Sequence, residues 1–219
     1  MSTIRRCCAL TTLAAGLSLP ALASAQNVEH AFQLGLETGL LTHTSASLQY
    51  DTGANTHVDH DTSTTQWGVG NQDVFLVLGY GLTQDLVLGG AVQLGGTSES
   101  DDVGAGGNVD TSQMTVGLLP RIEYMFMNGN KVRPFLRGQL ILRHTSVGLD
   151  NNNDYGVTQY GLGGGGGVRW FADPALSFDA SLGLNLVGAS GSYDVANTSR
   201  DISGSAWMIG LNVGVAGWL

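Results

Sequence analysis

The residues of this chain whose types and spacing suggest chemistry fall into three groups. His144-Thr145-Ser146 sets an imidazole and a hydroxyl two positions apart, so in an extended strand both leave the same face. Histidine beside serine is the pairing of a general base with a nucleophile, given a third group such as Asp150 or Asp154 to orient the ring. The second group consists of two metal-like stretches. His57-Val58-Asp59-His60-Asp61 gathers hard and borderline ligands, but two histidines without a second ligand cluster make a poor zinc site. Asp150-Asn151-Asn152-Asn153-Asp154-Tyr155-Gly156 resembles a calcium loop with its glycine one place late and Gly161 where a glutamate belongs. A polar loop in water is the preferred reading of both. The third group is a set of arginines and acids, Glu37, Arg121, Glu123, Arg133, Arg137, Arg143, Arg169 and Asp179, and its meaning depends on the elements that carry it.

Those elements alternate with a period of two. Met114, Val116, Leu118, Pro120, Ile122, Tyr124 and Phe126 form one face of a strand, and Thr115, Gly117, Leu119, Arg121, Glu123 and Met125 the other. The pattern recurs about eight times, and the spacing predicts strands over 30–43, 71–82, 86–96, 111–127, 132–144, 157–171, 176–188 and 203–219. Thr62 to Gly70 extends the second of these, but Trp67 and Val69 are out of phase with Val74, so a bulge or loop is expected there. The apolar phase carries no charge in any of the strands. It includes Phe32 to Leu40, Val74 to Leu82, Val132 to Leu142 and Trp207 to Leu219 at alternate positions. A charge at the midplane of a bilayer costs about 2–4 kcal/mol, so the pattern is that of a wall with hydrocarbon on one side. Aromatic residues collect near its ends: Phe32, Tyr80, Tyr124, Phe126, Trp170 and Phe178 at one rim, Tyr160 and Trp207 toward the other.

Bulk composition agrees. Charged residues are 12% of the 219-residue chain, against about 25% in soluble domains, and no stretch after the leader reaches the 18 apolar residues of a spanning helix. Arg5 and Arg6, the uncharged run Cys7 to Leu22 and the small residues Ala23-Ser24-Ala25 read as an export signal. Residues 1–25 are therefore expected to be removed, leaving 26–219 as one barrel domain without cysteine, which excludes disulfide and thiolate chemistry. The net charge of −9 becomes −11 once Arg5 and Arg6 are lost, so nucleic-acid binding is not expected.

Turns alternate in length. Thr83-Gln84-Asp85, Asn128-Gly129-Asn130-Lys131 and Ala172-Asp173-Pro174-Ala175 are tight, whereas 44–70, 97–110, 145–156 and 189–202 read as long, polar, acidic loops. Short turns on one side and long loops on the other are the habit of outer-membrane barrels, periplasmic and extracellular respectively. The fold expected is all-β: an eight-stranded antiparallel up-and-down transmembrane β-barrel. Its inward face then carries five arginines and three acids, with Gln33, Gln93, Gln139, Asn185 and Asn212, and a barrel of this size has room only for its own side chains. The expected result is a polar filling of paired charges rather than a pore. The run Gly163 to Gly167 lacks the Gly-Lys-Ser/Thr ending of a phosphate loop. Inward Gly161, Gly163, Gly165 and Gly167 are instead expected to make room for Arg133, Arg137 and Arg143. Pro120, inside the fourth strand, would remove a ladder hydrogen bond, which a bulge beside Arg121 could absorb.

The segments Tyr80-Gly-Leu-Thr-Gln-Asp-Leu-Val-Leu-Gly-Gly90, Arg133-Pro-Phe-Leu-Arg-Gly138 and Gly165-Gly-Gly-Val-Arg-Trp-Phe-Ala-Asp-Pro-Ala-Leu-Ser177 resemble the hairpins of the small OmpA/OmpX-like outer-membrane barrels. The resemblance implies insertion by the outer-membrane assembly machinery into a membrane of lipid and lipopolysaccharide, as a monomer. The leading reading of function is a non-enzymatic barrel, without a cofactor, that displays acidic extracellular loops in a structural or surface-interaction role. His144 and Ser146 look a little like the His-x-Ser arrangement of outer-membrane lipid A deacylases. A lipid A hydrolase is therefore one alternative, and a narrow channel another.

Overall fold

A computed structural model describes residues 27–51, 57–67, 74–102, 108–149, 155–195 and 198–219. The expected export signal, its cleavage point and Asp150 to Asp154 lie outside the described residues. Among the described residues nine strands follow one another: β1 (Phe32–Asp51), β2 (His57–Trp67), β3 (Val74–Gly81), β4 (Leu86–Asp102), β5 (Asn108–Met125), β6 (Val132–Leu149), β7 (Tyr155–Asp173), β8 (Leu176–Val195) and β9 (Thr198–Trp218). All neighbours are antiparallel, and β9 pairs back onto β1, so the sheet closes into a barrel. Following partners once around from Glu37 leads through Phe75, Gln93, Gly117, Arg143, Gln159, Ala189 and Gly204 to Leu48 of β1, not to Glu37. This stagger tilts the strands and sets a bore that side chains fill.

Nine strands stand where eight were expected. β3 pairs with β1 up to Thr38↔Val74, and β2 pairs with the same edge of β1 from Leu41↔Trp67 onward. The mismatch of phase between Trp67 and Val74 is thus resolved by dividing the strand. β1 compensates with a bulge between Gly39 and Leu41. Below it Gln33, Glu37 and Gly39 face the lumen; above it Thr42, Thr44, Ala46 and Leu48 do. Leu40, expected on the outer face, sits at this change of phase. Above the end of the β3–β4 ladder at Phe75↔Gln93, no recorded pairing joins β2 to β4 among the described residues.

The expected long loops are a second correction. β4 and β5 stay paired to Asp102↔Asn108, β6 and β7 to Val147↔Tyr155, and β8 and β9 to Val195↔Thr198. These segments, rich in threonine, serine and other polar residues in sequence, keep their ladders without an apolar outer phase. The apolar alternation that marks a strand against lipid vanishes there although the hydrogen bonding continues.

At the opposite end the turns are tight, as expected. Thr83 Oγ1 accepts from the Leu86 and Asp85 amides at 3.1 and 3.3 Å, Asp173 Oδ1 accepts from the Ala175 amide at 2.7 Å, and Gly129 adopts φ 84°. Pro120 does not create a bulge. The β5–β6 ladder omits Leu119 and Pro120 and resumes at Arg121↔Gln139 in the same register as Leu118↔Leu142. The outer face is predominantly apolar toward the short-turn half, and several of its aromatic residues meet in pairs. Phe32 and Tyr80 lie 4.9 Å apart between ring centroids, Tyr124 and Phe126 5.0 Å, and Trp170 and Phe178 5.7 Å.

Candidate functional site

Inward-facing positions of β1, β5, β6, β7 and β8 bring charges together because each strand turns alternate residues to the lumen. Glu37 Oε2 accepts from Arg121 Nη1 and from Arg137 Nη1, both at 2.9 Å. Arg137 Nη2 reaches Glu123 Oε2 at 3.2 Å, Glu123 Oε1 also accepts from Arg169 Nη1, and Arg169 Nη2 meets Asp179 Oδ2 at 3.4 Å. Burying such charges is costly unless each is paired and hydrogen-bonded. Here the chain Arg121–Glu37–Arg137–Glu123–Arg169–Asp179 alternates in sign along its whole length.

Arg133 lies nearer the short-turn end. Its guanidinium donates to Asp85 Oδ1 at 2.8 Å and to the Gln84 carbonyl at 2.9 Å. Asp85 had been read only as a turn former; its role depends on the turn folding back over the bore, which periodicity does not show. With it, the described ion pairs of the bore contain four arginines and four carboxylates. Arg143, expected in the same network, lines the wall of the wider half of the lumen.

Apolar side chains interlock with the charges, a feature that a polar-filling reading missed. Val28, Val87, Met125, Phe135, Phe171 and Trp218 form a buried cluster at the short-turn end. Arg169 is fully enclosed, its guanidinium 5.2 Å from the Phe135 ring centre and 5.3 Å from that of Trp218. Trp218 Nε1 donates to Ser177 Oγ at 2.8 Å. Beside Glu37 and Arg137 there remains a void of about 30 Å³, room for about one water.

The glycines of β7 serve a different purpose from the one expected. A Cβ on Gly161, Gly165 or Gly167 would strike the β8 carbonyls of Leu186, Leu182 and Ala180 respectively, and one on Gly163 would strike Asn185 and Gln139. Close approach of β8, rather than space for arginines, requires them.

Beyond this sealed section the bore widens. A cavity of about 890 Å³ runs from Gly39, Gly183 and Asn212 in mid-barrel to Leu48, Tyr155 and Ile202 on the long hairpins. A second apolar cluster, built on Val77, Ala91, Leu119, Ile141 and Val187 with Phe75, Ala206 and Met208 packed against it, supplies part of its wall.

On the outer surface near the long hairpins, Ser146 Oγ lies 3.2 Å from His144 Nε2, and His144 Nδ1 lies 3.0 Å from Thr158 Oγ1. Both residues are exposed. The partners that orient the imidazole among the described residues are hydroxyls; Asp150 and Asp154, expected to serve, lie outside them. Asp59, His60 and Asp61 are exposed on β2, and among the described residues no group of three or more His, Cys, Asp or Glu is placed to hold a metal ion.

No protein-family profile matches the chain, and no curated protein sequence does. Solved structures do. Their fold is that of small outer-membrane β-barrels. The outer membrane protein OprG from Pseudomonas aeruginosa is similar at 16% identity and a TM-score of 0.51, over 87% of this chain and 99% of that one. The outer membrane protein AlkL, solved in DMPC lipid bilayers, is similar at 10% identity and a TM-score of 0.50, over 92% of this chain and 96% of that one. The likeness is therefore to small outer-membrane barrels as a class rather than to the OmpA/OmpX-like group in particular.

Proposed function

We propose that this protein is a non-enzymatic, monomeric outer-membrane barrel, inserted after loss of residues 1–25. In this reading β2 and β3 together act as one stave of eight, and the filled section blocks passage. The short turns face the periplasm, while the long polar hairpins stand outside among lipopolysaccharide headgroups and give the protein a structural and surface-interaction role. The observation that carries this reading is Arg169, fully enclosed between Glu123, Phe135 and Trp218. A guanidinium in that position, tied on both sides to carboxylates, closes the bore. Purified protein in planar bilayers is expected to give no steady ion conductance above the bare membrane. Reproducible open-channel steps of uniform size would overturn the closed reading in favour of a narrow channel.

One observation favours a second reading, an acyl hydrolase of outer-leaflet lipid. Thr158 Oγ1 accepting a hydrogen bond from His144 Nδ1–H would leave Nε2 as the base facing Ser146. Incubation with lipopolysaccharide and mass analysis of the lipid tests it. Acyl loss that disappears in Ser146→Ala would support the hydrolase, and unchanged lipid would end it.

A further inference from the structure

The wide half of the lumen goes unused in the sealed-barrel reading, yet its wall is selective. Phe75, Val187, Ala206 and Met208 give it an apolar side. Its volume of about 890 Å³ lies within the range of pockets that enclose small ligands. Much of the remaining lining is amide and hydroxyl. Among the described lining residues there is no carboxylate, and the one cation, Arg143, already has an interaction partner within the chain. A charged ligand would find no free counter-charge there, and burying a charge unpaired is costly.

Several polar groups of the wall answer one another. Thr115 Oγ1 lies 3.1 Å from Thr145 Oγ1, and Asn185 Oδ1 accepts from Gln139 Nε2 at 3.0 Å. Gln93 and Gln159, both in the cavity wall, break the pattern. Gln93 is fully enclosed, and neither its amide nitrogen nor its amide oxygen has a hydrogen-bond partner in the protein; Gln159 Oε1 is also buried and without one. Enclosed amides are ordinarily satisfied. Gly117, opposite Gln93 on β5, carries no side chain, and a Cβ there would press on Gln93 Oε1 at 3.0 Å. The glycine keeps clear the space that the amide needs to turn toward the cavity. What the wall lacks is two hydrogen donors, for the two amide oxygens, and one acceptor, for the Gln93 nitrogen.

We propose that this cavity binds a neutral sugar, held through neighbouring hydroxyls and lying with a C–H face against Val187, Ala206 and Met208. A hydroxyl both donates and accepts from a single atom. Two adjacent ones therefore satisfy both ends of the Gln93 amide together, and a further one serves Gln159 Oε1. A purely apolar molecule would leave those buried atoms unanswered. The inference goes beyond the closure of the bore, since a plugged barrel can hold a ligand in its open half. Conductance and sugar binding can therefore fail independently.

The test uses the protein in phospholipid nanodiscs with three six-membered-ring probes, glucose, cyclohexanol and glucuronate, and protein-free discs as the background for partition into lipid. Saturation-transfer NMR is expected to show saturable glucose binding, at least tenfold tighter than cyclohexanol, with glucuronate no tighter than glucose. Gln93→Leu is expected to weaken glucose at least tenfold and to leave cyclohexanol unchanged. It should also leave the urea unfolding midpoint unchanged or higher, since it removes amide atoms that nothing in the protein answers. On the unaltered protein, no saturable glucose signal, a smaller preference over cyclohexanol, or tighter binding of glucuronate would each overturn the proposal. So would a Gln93→Leu protein that binds glucose unchanged, or one that is destabilised or fails to fold, since the amide would then be answered inside the barrel. Discs containing lipopolysaccharide distinguish the source of the sugar. A lipid-borne sugar competes with glucose there, a soluble one leaves the glucose affinity unchanged, and either result supports the assignment.

Discussion

At the scale of single residues, Gly165 and Gly164 show how finely the wall is fitted. They are adjacent and chemically identical, but a Cβ on Gly165 would collide with the Leu182 carbonyl, whereas one on Gly164 would find only the Arg137 carbonyl at 3.4 Å. Gly165→Ala is expected to lower unfolding stability by about 1–3 kcal/mol through overpacking, and Gly164→Ala to cost much less. Urea unfolding of the two variants in lipid vesicles measures the difference. Glu123 illustrates the charges. It is 3% exposed and serves both Arg137 and Arg169, so Glu123→Gln is expected to cost about 3–5 kcal/mol by stranding buried guanidinium charge. The double variant Glu123→Met with Arg169→Met should lose less than the sum of its parts, and a double-mutant cycle under the same urea conditions reads this directly. Which residues face inward was legible from alternation alone. Their partners were not, because pairing depends on stagger: Glu37 reaches Arg121 and Arg137 across the bore, a contact that no spacing along the chain encodes.

At the scale of elements, the legible part was whatever presents an apolar outer face. The outer phase of β5, from Met114 to Phe126, is exposed position by position except at the half-buried Pro120. Strand segments whose sequence lacks apolar alternation carry no such signature, which is why the extensions of β4 through β9 read as loops. The bulge at Gly39 was equally hidden, since a one-residue change of phase within Gly39-Leu40-Leu41 leaves an apolar residue available for either choice. Pro120 was visible, but its effect was not. It leaves two positions out of the β5–β6 ladder without moving the register, so restoring a donor should help rather than distort. Pro120→Val is expected to raise stability by about 1 kcal/mol and to slow amide exchange where β5 meets β6, as hydrogen–deuterium exchange would show. Unchanged or faster exchange there would mean that the proline fits its place better than a donor does.

At the scale of the whole molecule, two halves with different characters share one cylinder. Near the short turns, ion pairs and aromatic rings fill the bore; toward the long hairpins, the same wall surrounds an open cup. The described charges of the filled half cancel, four against four. A stack of alternating sign with no surplus exerts little pull on a distant ion of either polarity, since neighbouring fields extinguish one another within a few ångströms. Removing one acid such as Asp179 unbalances that column toward the cationic. Any leak opened by such a loss would therefore admit chloride ahead of potassium, and the permeating species would reveal which side of the ledger had been emptied.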